Sequence, residues 1–425
     1  MIRWKFLWPL ALFLTLAVTN RYEGPPPDRN YVPGDTYSYL MLAEAAPRLP
    51  AGPTFFHHAQ RIALPYLIGL VHLTVPLPIH RLFQAAAMAI SLLILLLAWD
   101  LLDNLGVRRQ QAAIALALLA LNPWAFRPYL TFPEMVNDLG FVMGVVVMLR
   151  GLVRGASATV LMGQMIASLS RQTGLMLVPL VAIWVWHDRR TWGRMETRRR
   201  IAFCGAVAAV AGGVYLVTAW LVAGISYESE NLEHLLGVAH WVATQFDAPM
   251  LGDFLLRASL PALMALTLLV GLGRPARRRA ASASGAEPEP TIVVPLLWCA
   301  TLLIWAQPLL GGPDMTGPTV IRLVAIGLLP LCLIVGIRLR DADAFTGAGR
   351  GRVMGILALL AAASLHHRYV LDSTPSANDK VVFAALYLAA CGGALALARL
   401  EARAPRDGMM GGAPWTGSPP PSTDS

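Results

Sequence analysis

The chain has 425 residues, 56% of them hydrophobic and only 14% charged, with a formal net charge of +9. So many apolar residues cannot be hidden in one soluble core, which excludes a water-soluble globular protein and leaves an integral membrane protein. In such a chain basic residues mark cytoplasmic loops, so the positive balance does not argue for a nucleic-acid partner.

The first segment, MIRWKFLWPLALFLTLAVTN, has a basic start and an apolar run of signal-peptide type. No small-x-small cleavage pattern closes it, so it reads as a retained first helix entering from the cytoplasm. Further spans are expected from apolar runs near the length that a bilayer demands of a helix. They centre on residues 83–102, 110–126, 135–153, 157–170, 173–187, 201–223, 254–273, 291–307, 319–337, 353–366 and 381–399. With the first helix these make twelve. The segment 61–80, RIALPYLIGLVHLTVPLPIH, is broken by Pro65, Pro76 and Pro78 and carries His72, so it suits an interfacial helix rather than a crossing. Residues 274–290 form a charged, small-residue linker, and residues 404–425 have the Pro, Gly and Ser content of a disordered cytoplasmic tail. The four cysteines, Cys204, Cys299, Cys332 and Cys391, all fall in apolar runs without metal or redox spacing and read as packing residues.

Charge placement supports this count. With a cytoplasmic N-terminus, the inner segments hold 23 of the 34 basic residues and 11 of the 25 acidic ones, including the cluster from Arg189 to Arg200. The outer segments hold 11 basic and 14 acidic residues. Counting 65–80 as a crossing would move the arginine cluster outside, against the positive-inside rule.

The polar chemistry then gathers on the outer side. The first outer loop, 20–81, carries Asp28, Asp35, Tyr37, Tyr39, Glu44, His57, His58 and Arg61; the second carries Asn122, Arg127, Tyr129, Glu134, Asn137 and Asp138; a third turn, SLSRQTG, carries Arg171. Asp35 in GDTYSYLMLAE is placed to cap a short helix, and equally to serve as a general base or metal ligand. Glu134 and Asp138 are four apart, on one helix face where carboxylates are costly without a partner or a function; the plainer reading is an interfacial pair with Arg127. Arg171 suits a bidentate phosphate contact, with snorkelling to the interface as the plainer alternative, and Arg322 after GGPDMTGPT has a similar position. His57 and His58 read either as metal or substrate ligands or as ordinary loop groups.

The first helix, the outer loop with GDTYSY, the RIALPYLIGL segment, the FPEMVNDLG entry into a helix and the SLSRQTG turn together resemble the GT-C superfamily, polytopic glycosyltransferases that use polyprenyl-phosphate-linked sugars. The resemblance covers residues 1–190; residues 191–403 would add variable transmembrane helices. It implies an all-α fold with the active site outside an inner (plasma) membrane and both termini in the cytoplasm. It further implies a lipid-linked sugar donor, a glycan, lipid or protein acceptor, and transfer with inversion. Asp35 matches the first-loop acid that acts as base or orients the acceptor, Glu134 or Asp138 the second-loop acid, and Arg171 a basic residue near the donor phosphate, with Arg61 and Arg322 as helpers and Tyr37, His57 and His58 nearby. A divalent cation (Mg or Mn) is a cofactor that the resemblance leaves open, because the first loop has a lone Asp where many members carry paired acids. No soluble C-terminal domain of the kind some members carry is expected. Two other classes share features with it: a transporter or flippase, which would show related halves, and an O-antigen-type polymerase or ligase, for which SYESENLEHLLGVAHWVATQFDAP would be the acceptor loop.

Overall fold

The computed structural model describes residues 6–20, 34–51, 54, 56–225, 231–273, 292–316, 319–345, 350–365 and 377–403; at Gly34 and Asp35 it describes the backbone alone. The linker 274–290, the tail 404–425 and Asp28 lie outside the described residues. Among those described, every regular element is a helix. In chain order they are α1 (Leu7–Thr19), α2 (Gly34–Ala45), α3 (Phe56–Ala59), α4 (Ala63–His72), α5 (Ile79–Asn104), α6 (Arg109–Ala120), α7 (Arg127–Thr131), α8 (Val136–Arg154), α9 (Ser157–Ser170) and α10 (Leu177–His187). There follow α11 (Arg189–Trp192), α12 (Thr197–Val222), α13 (Asn231–Thr244), α14 (Ala248–Leu272), α15 (Val293–Thr316), α16 (Val320–Ala325), α17 (Leu328–Asp341), α18 (Arg350–Leu365) and α19 (Ala377–Arg403).

Each of the twelve apolar segments expected from the sequence is helical over most of its length. Six helical stretches among the described residues are long and apolar enough to cross a membrane: Ile79–Asn104, Pro133–Arg154, Thr197–Val222, Ala248–Leu272, Val293–Pro313 and Val381–Glu401. Leu7–Thr19, Ala63–His72, Gln172–His187 and Gly351–Ser364 are shorter apolar helices. The outer helices leave large side chains uncovered, among them Leu216, Trp220, Val270, Val381 and Leu388. Side chains of this kind on several faces call for hydrocarbon rather than water, and mark a membrane protein.

Three of the longer described helices are buried on nearly every face along most of their length and therefore lie inside the bundle. These are α6, buried from Gln111 to Ala120, α8, and α17, buried from Leu328 to Ile337. Polar groups on and just beyond them are used as ties between helices. Gln111 donates to the carbonyls of Leu339 and Ala344 at 3.0 and 2.9 Å, and Asn122 donates to the Pro261 carbonyl at 2.8 Å. Such bonds hold helices together where apolar surface alone gives no preference for helix over lipid.

The closest helix pair is α8 with α9. Gly155, at φ 69°, adopts the left-handed backbone that only glycine takes at no cost, so the chain reverses directly from α8 into α9. Small residues then let the backbones touch. A Cβ on Gly151 would lie 2.7 Å from the Val160 nitrogen, one on Gly163 2.7 Å from the Gly144 carbonyl, and one on Gly144 would strike the Ala167 backbone. The hairpin therefore brings the first turn of α8 beside the last turn of α9.

The first loop folds back on this bundle. α4 has ten residues, about 15 Å of helix, which is half the hydrocarbon thickness, so it does not reach across a bilayer. It buries Pro65, Ile68 and Gly69 and exposes Leu67, Leu70 and Val71, the one-sided pattern of a helix lying in an interface. Gly69 has no side chain because the Ala43 carbonyl of α2 occupies that space.

Charged pairs gather at the two ends of the helices. At one end, Arg150 and Arg154 share Asp100 at 2.7 and 2.8 Å, Arg108 meets Asp343 at 2.7 Å, and Arg352 meets Glu401 at 2.9 Å. The other end, about 18 Å further along α8, holds Asp138. Gly144→Val should lower stability by about 1–3 kcal/mol, because the α8 and α9 backbones cannot separate without losing their packing. Gly213→Ala, with open space around it, should leave stability unchanged or raised. Thermal unfolding of both variants in detergent checks this.

Candidate active site

Asp138 is the third residue of α8, and Arg171 directly follows the last residue of α9. Each position suits its charge, since a helix N-terminus favours an anion and a helix C-terminus a cation. The hairpin places them face to face. Arg171 donates from Nη1 to Asp138 Oδ1, with both side chains almost fully buried. Arg322, from the short helix α16, approaches the second oxygen, Nε to Oδ2 at 3.4 Å, and its Nη1 lies 2.7 Å from Met135 Sδ. Asp138 thus joins two guanidiniums that are far apart in the chain. Arg171 is not at the surface, so the snorkelling alternative is set aside.

A second layer reaches this pair through the first loop. Arg61 lies within electrostatic reach of Arg171. It is itself held by Tyr39, whose hydroxyl accepts from Nη1 at 3.0 Å, and by Gln172, whose Oε1 accepts from Nε at 3.1 Å. Gln172 also donates to the His57 carbonyl at 2.7 Å. His58 is buried, with Nδ1 3.0 Å from Ser38 Oγ, and Thr54 donates to the same Ser38 hydroxyl at 3.1 Å. His57 packs against the His58 ring at 4.1 Å between centroids. His58 is thereby tied to α2, and His57 to Gln172 beside Arg171.

The helix that supplies Ser38 and Tyr39 is α2, whose second residue is Asp35. Three- and four-residue spacing puts position 35 on the face of α2 that carries Ser38, Tyr39 and Leu42, all buried. The Asp35 side chain lies outside the described residues. Tyr37, one step round the helix, is 39% exposed and points away from that face. α2 also packs on the 3-10 turn Pro133–Met135, which carries Glu134.

Glu134 and Asp138 differ in their surroundings. Glu134 is buried, yet among the described residues it makes no ion pair. Arg127 does not pair with either acid. It is fully buried and donates to Ser364 Oγ at 2.7 Å and to the Thr19 hydroxyl and carbonyl at 3.0 and 3.3 Å, tying α1 and α18 to α7. The expected interfacial pair with Arg127 is thus replaced by two separate carboxylates, one paired and one not. Tyr129 is buried beside Asp138; burial and that negative charge both push its phenol well above the ordinary value.

Among the described residues no three His, Cys, Asp or Glu side chains group as metal ligands. Asp138 is engaged by two guanidiniums. Sequence reasoning gave Tyr39 no role and missed Ser38, missed Gln172, and left Tyr129 among the loop groups without a role. The signal for the first two was their helical spacing from Asp35, and for Gln172 its position next to Arg171.

No protein-family model matches this chain, and a search of curated proteins also finds no match. Replacing Asp138 with alanine leaves the buried Arg171 and the half-buried Arg322 without their shared carboxylate and should cost about 3–5 kcal/mol. A double change, Asp138→Leu with Arg171→Met, should recover much of that loss. Thermal unfolding of the purified variants in detergent reads both.

Proposed function

We propose that the chain is a membrane glycosyltransferase that moves a sugar from a polyprenyl-phosphate donor to an extracytoplasmic acceptor, a cell-envelope glycan, lipid or protein. The observation that carries this reading is the meeting of Arg171 and Arg322 on Asp138, with Arg61 within electrostatic reach of Arg171, at the bundle end where α2 brings position 35 and the 3-10 turn brings Glu134. Guanidiniums held by fixed partners suit a phosphate that gains charge as it leaves.

In the proposed step the donor's phosphate sits against these arginines and the acceptor hydroxyl beside Asp35. The acceptor oxygen attacks the anomeric carbon from the face opposite the phosphate, so the new C–O bond forms as the sugar–phosphate bond breaks and the configuration inverts. Asp35 takes the hydroxyl proton. The polyprenyl phosphate leaves with the bonding electron pair, and Arg171, aided by Arg61 and Arg322, stabilises that charge. Asp138 acts as a positioning residue, because its oxygens hold two of the three guanidiniums.

The membrane arrangement belongs to the same reading: about twelve crossings, with the shorter helices completing the six long ones, in an inner (plasma) membrane. Both termini face the cytoplasm and the site faces outward. The arginines at 108, 150, 154 and 352, all at the end opposite Asp138, support this orientation through the positive-inside rule.

Purified protein in proteoliposomes, given a radiolabelled polyprenyl-phosphate sugar and a range of acceptors, should transfer sugar without moving intact donor across the membrane. Asp35→Asn should slow transfer by about 100-fold or more while the protein stays folded. Full activity of that variant would remove Asp35 as base. If Glu134→Gln abolished transfer while Asp35→Asn did not, the proton would go to Glu134 instead.

A further inference from the structure

A second feature lies at the opposite end of the bundle. α1 and the C-terminal half of α5 leave a groove of about 420 Å³ between them, lined by Leu7, Leu10, Leu93 and Leu97 and closed at one end by Asp100 and Arg150. Leu7, Leu10 and Leu93 are 47%, 40% and 47% exposed, so apolar side chains form an open trough rather than a sealed core. From Leu92 to Asp100 the trough runs about 12 Å along α5.

Its polar end is unbalanced in charge. Arg150 binds Asp100 Oδ2 through Nε, and Arg154 binds the same oxygen through Nη2. Two guanidiniums share one carboxylate, and the Nη groups of Arg150 make no bond among the described residues. The side chains are 30% and 37% exposed; Arg150 lines the groove, and Arg154 adjoins it through the shared Asp100. An apolar trough ending in a net positive charge at the end of a membrane helix matches an amphiphile with an acyl chain and an anionic phosphate. Basic pockets between helices at that depth hold acidic lipid headgroups.

The geometry points to this groove as a specific site for one anionic phospholipid, its phosphate on Arg150 and Arg154 and an acyl chain along Leu93 and Leu97 between α1 and α5. A zwitterionic phospholipid has the same chains but places a cation beside the same arginines, so it binds less well. A second copy of the chain would need a protruding partner for a narrow trough, and nothing in the described residues supplies one. The site does not depend on the glycosyltransferase reading and stands or falls by itself.

Native mass spectrometry of the full chain in detergent, titrated with phosphatidylglycerol and separately with phosphatidylcholine, tests it. The anionic lipid should be retained as one tightly bound molecule with at least a fivefold preference. Leu93→Trp, a change at an exposed position that fills the trough, and the double change Arg150→Gln with Arg154→Gln should each remove that preference. Arg108→Gln, at the same end of the bundle but away from the groove, should retain it. If the double variant fails to fold, the Leu93→Trp result decides: phosphatidylglycerol should raise the unfolding temperature of the wild type and not of this variant. Equal retention of the two lipids, unchanged binding in Leu93→Trp, or a bound mass equal to a second chain would each overturn the assignment.

Discussion

The α8–α9 hairpin, closed by backbone contact at Gly144, Gly151 and Gly163, is the constraint on which the rest of the candidate site depends. Because those glycines carry no side chain, the first turn of one helix lies beside the last turn of the other. The buried Asp138–Arg171 pair follows directly from that. A buried ion pair contributes little net stability, since desolvation offsets the attraction, but it strongly disfavours any arrangement in which one partner is left alone. The pair therefore acts mainly on geometry. It draws in Arg322 from a distant helix and sets the position against which Arg61 and the first loop are organised.

The remaining polar contacts follow the same logic of scarce hydrogen-bonding groups in an apolar interior. Arg127 joins α1, α7 and α18 through Thr19 and Ser364, Gln111 closes the end of α17, and Tyr387 donates to the Leu260 carbonyl at 2.6 Å to hold α19 on α14. Each replaces a contact that a soluble protein would leave to water. The result is a bundle in which polar side chains select neighbours and apolar ones fill the space between. Glu134 departs from this rule. A buried carboxylate without an ion-pair partner among the described residues is costly unless a proton or a ligand compensates it, which is why it ranks with Asp35 in the proposed chemistry.

Much of the helical layout was legible in the chain itself. Apolar runs marked where the helices lie, prolines at 65, 76 and 78 marked the short segment, and the ten-residue α4 has the length those prolines imply. The site was legible only in part. Asp138, Arg171 and Arg322 could each be singled out because a charge beside an apolar run is unusual. Their mutual contact could not, because 33 and 184 residues of chain separate Asp138 from its two partners. The plainer readings of Arg171 and Arg127 failed for the same reason, since local sequence does not say whether a charged side chain meets solvent or another helix.

What the sequence by itself determined is the medium and the elements: hydropathy demands a membrane, and run length demands helices, because both depend on local composition. What only the tertiary structure decided is which charges meet. That choice depends on how closely two backbones approach, on the Gly155 reversal that sets α8 against α9, and on the packing of α16 beside them. These are properties of contact between distant segments, and no single stretch of the chain contains them.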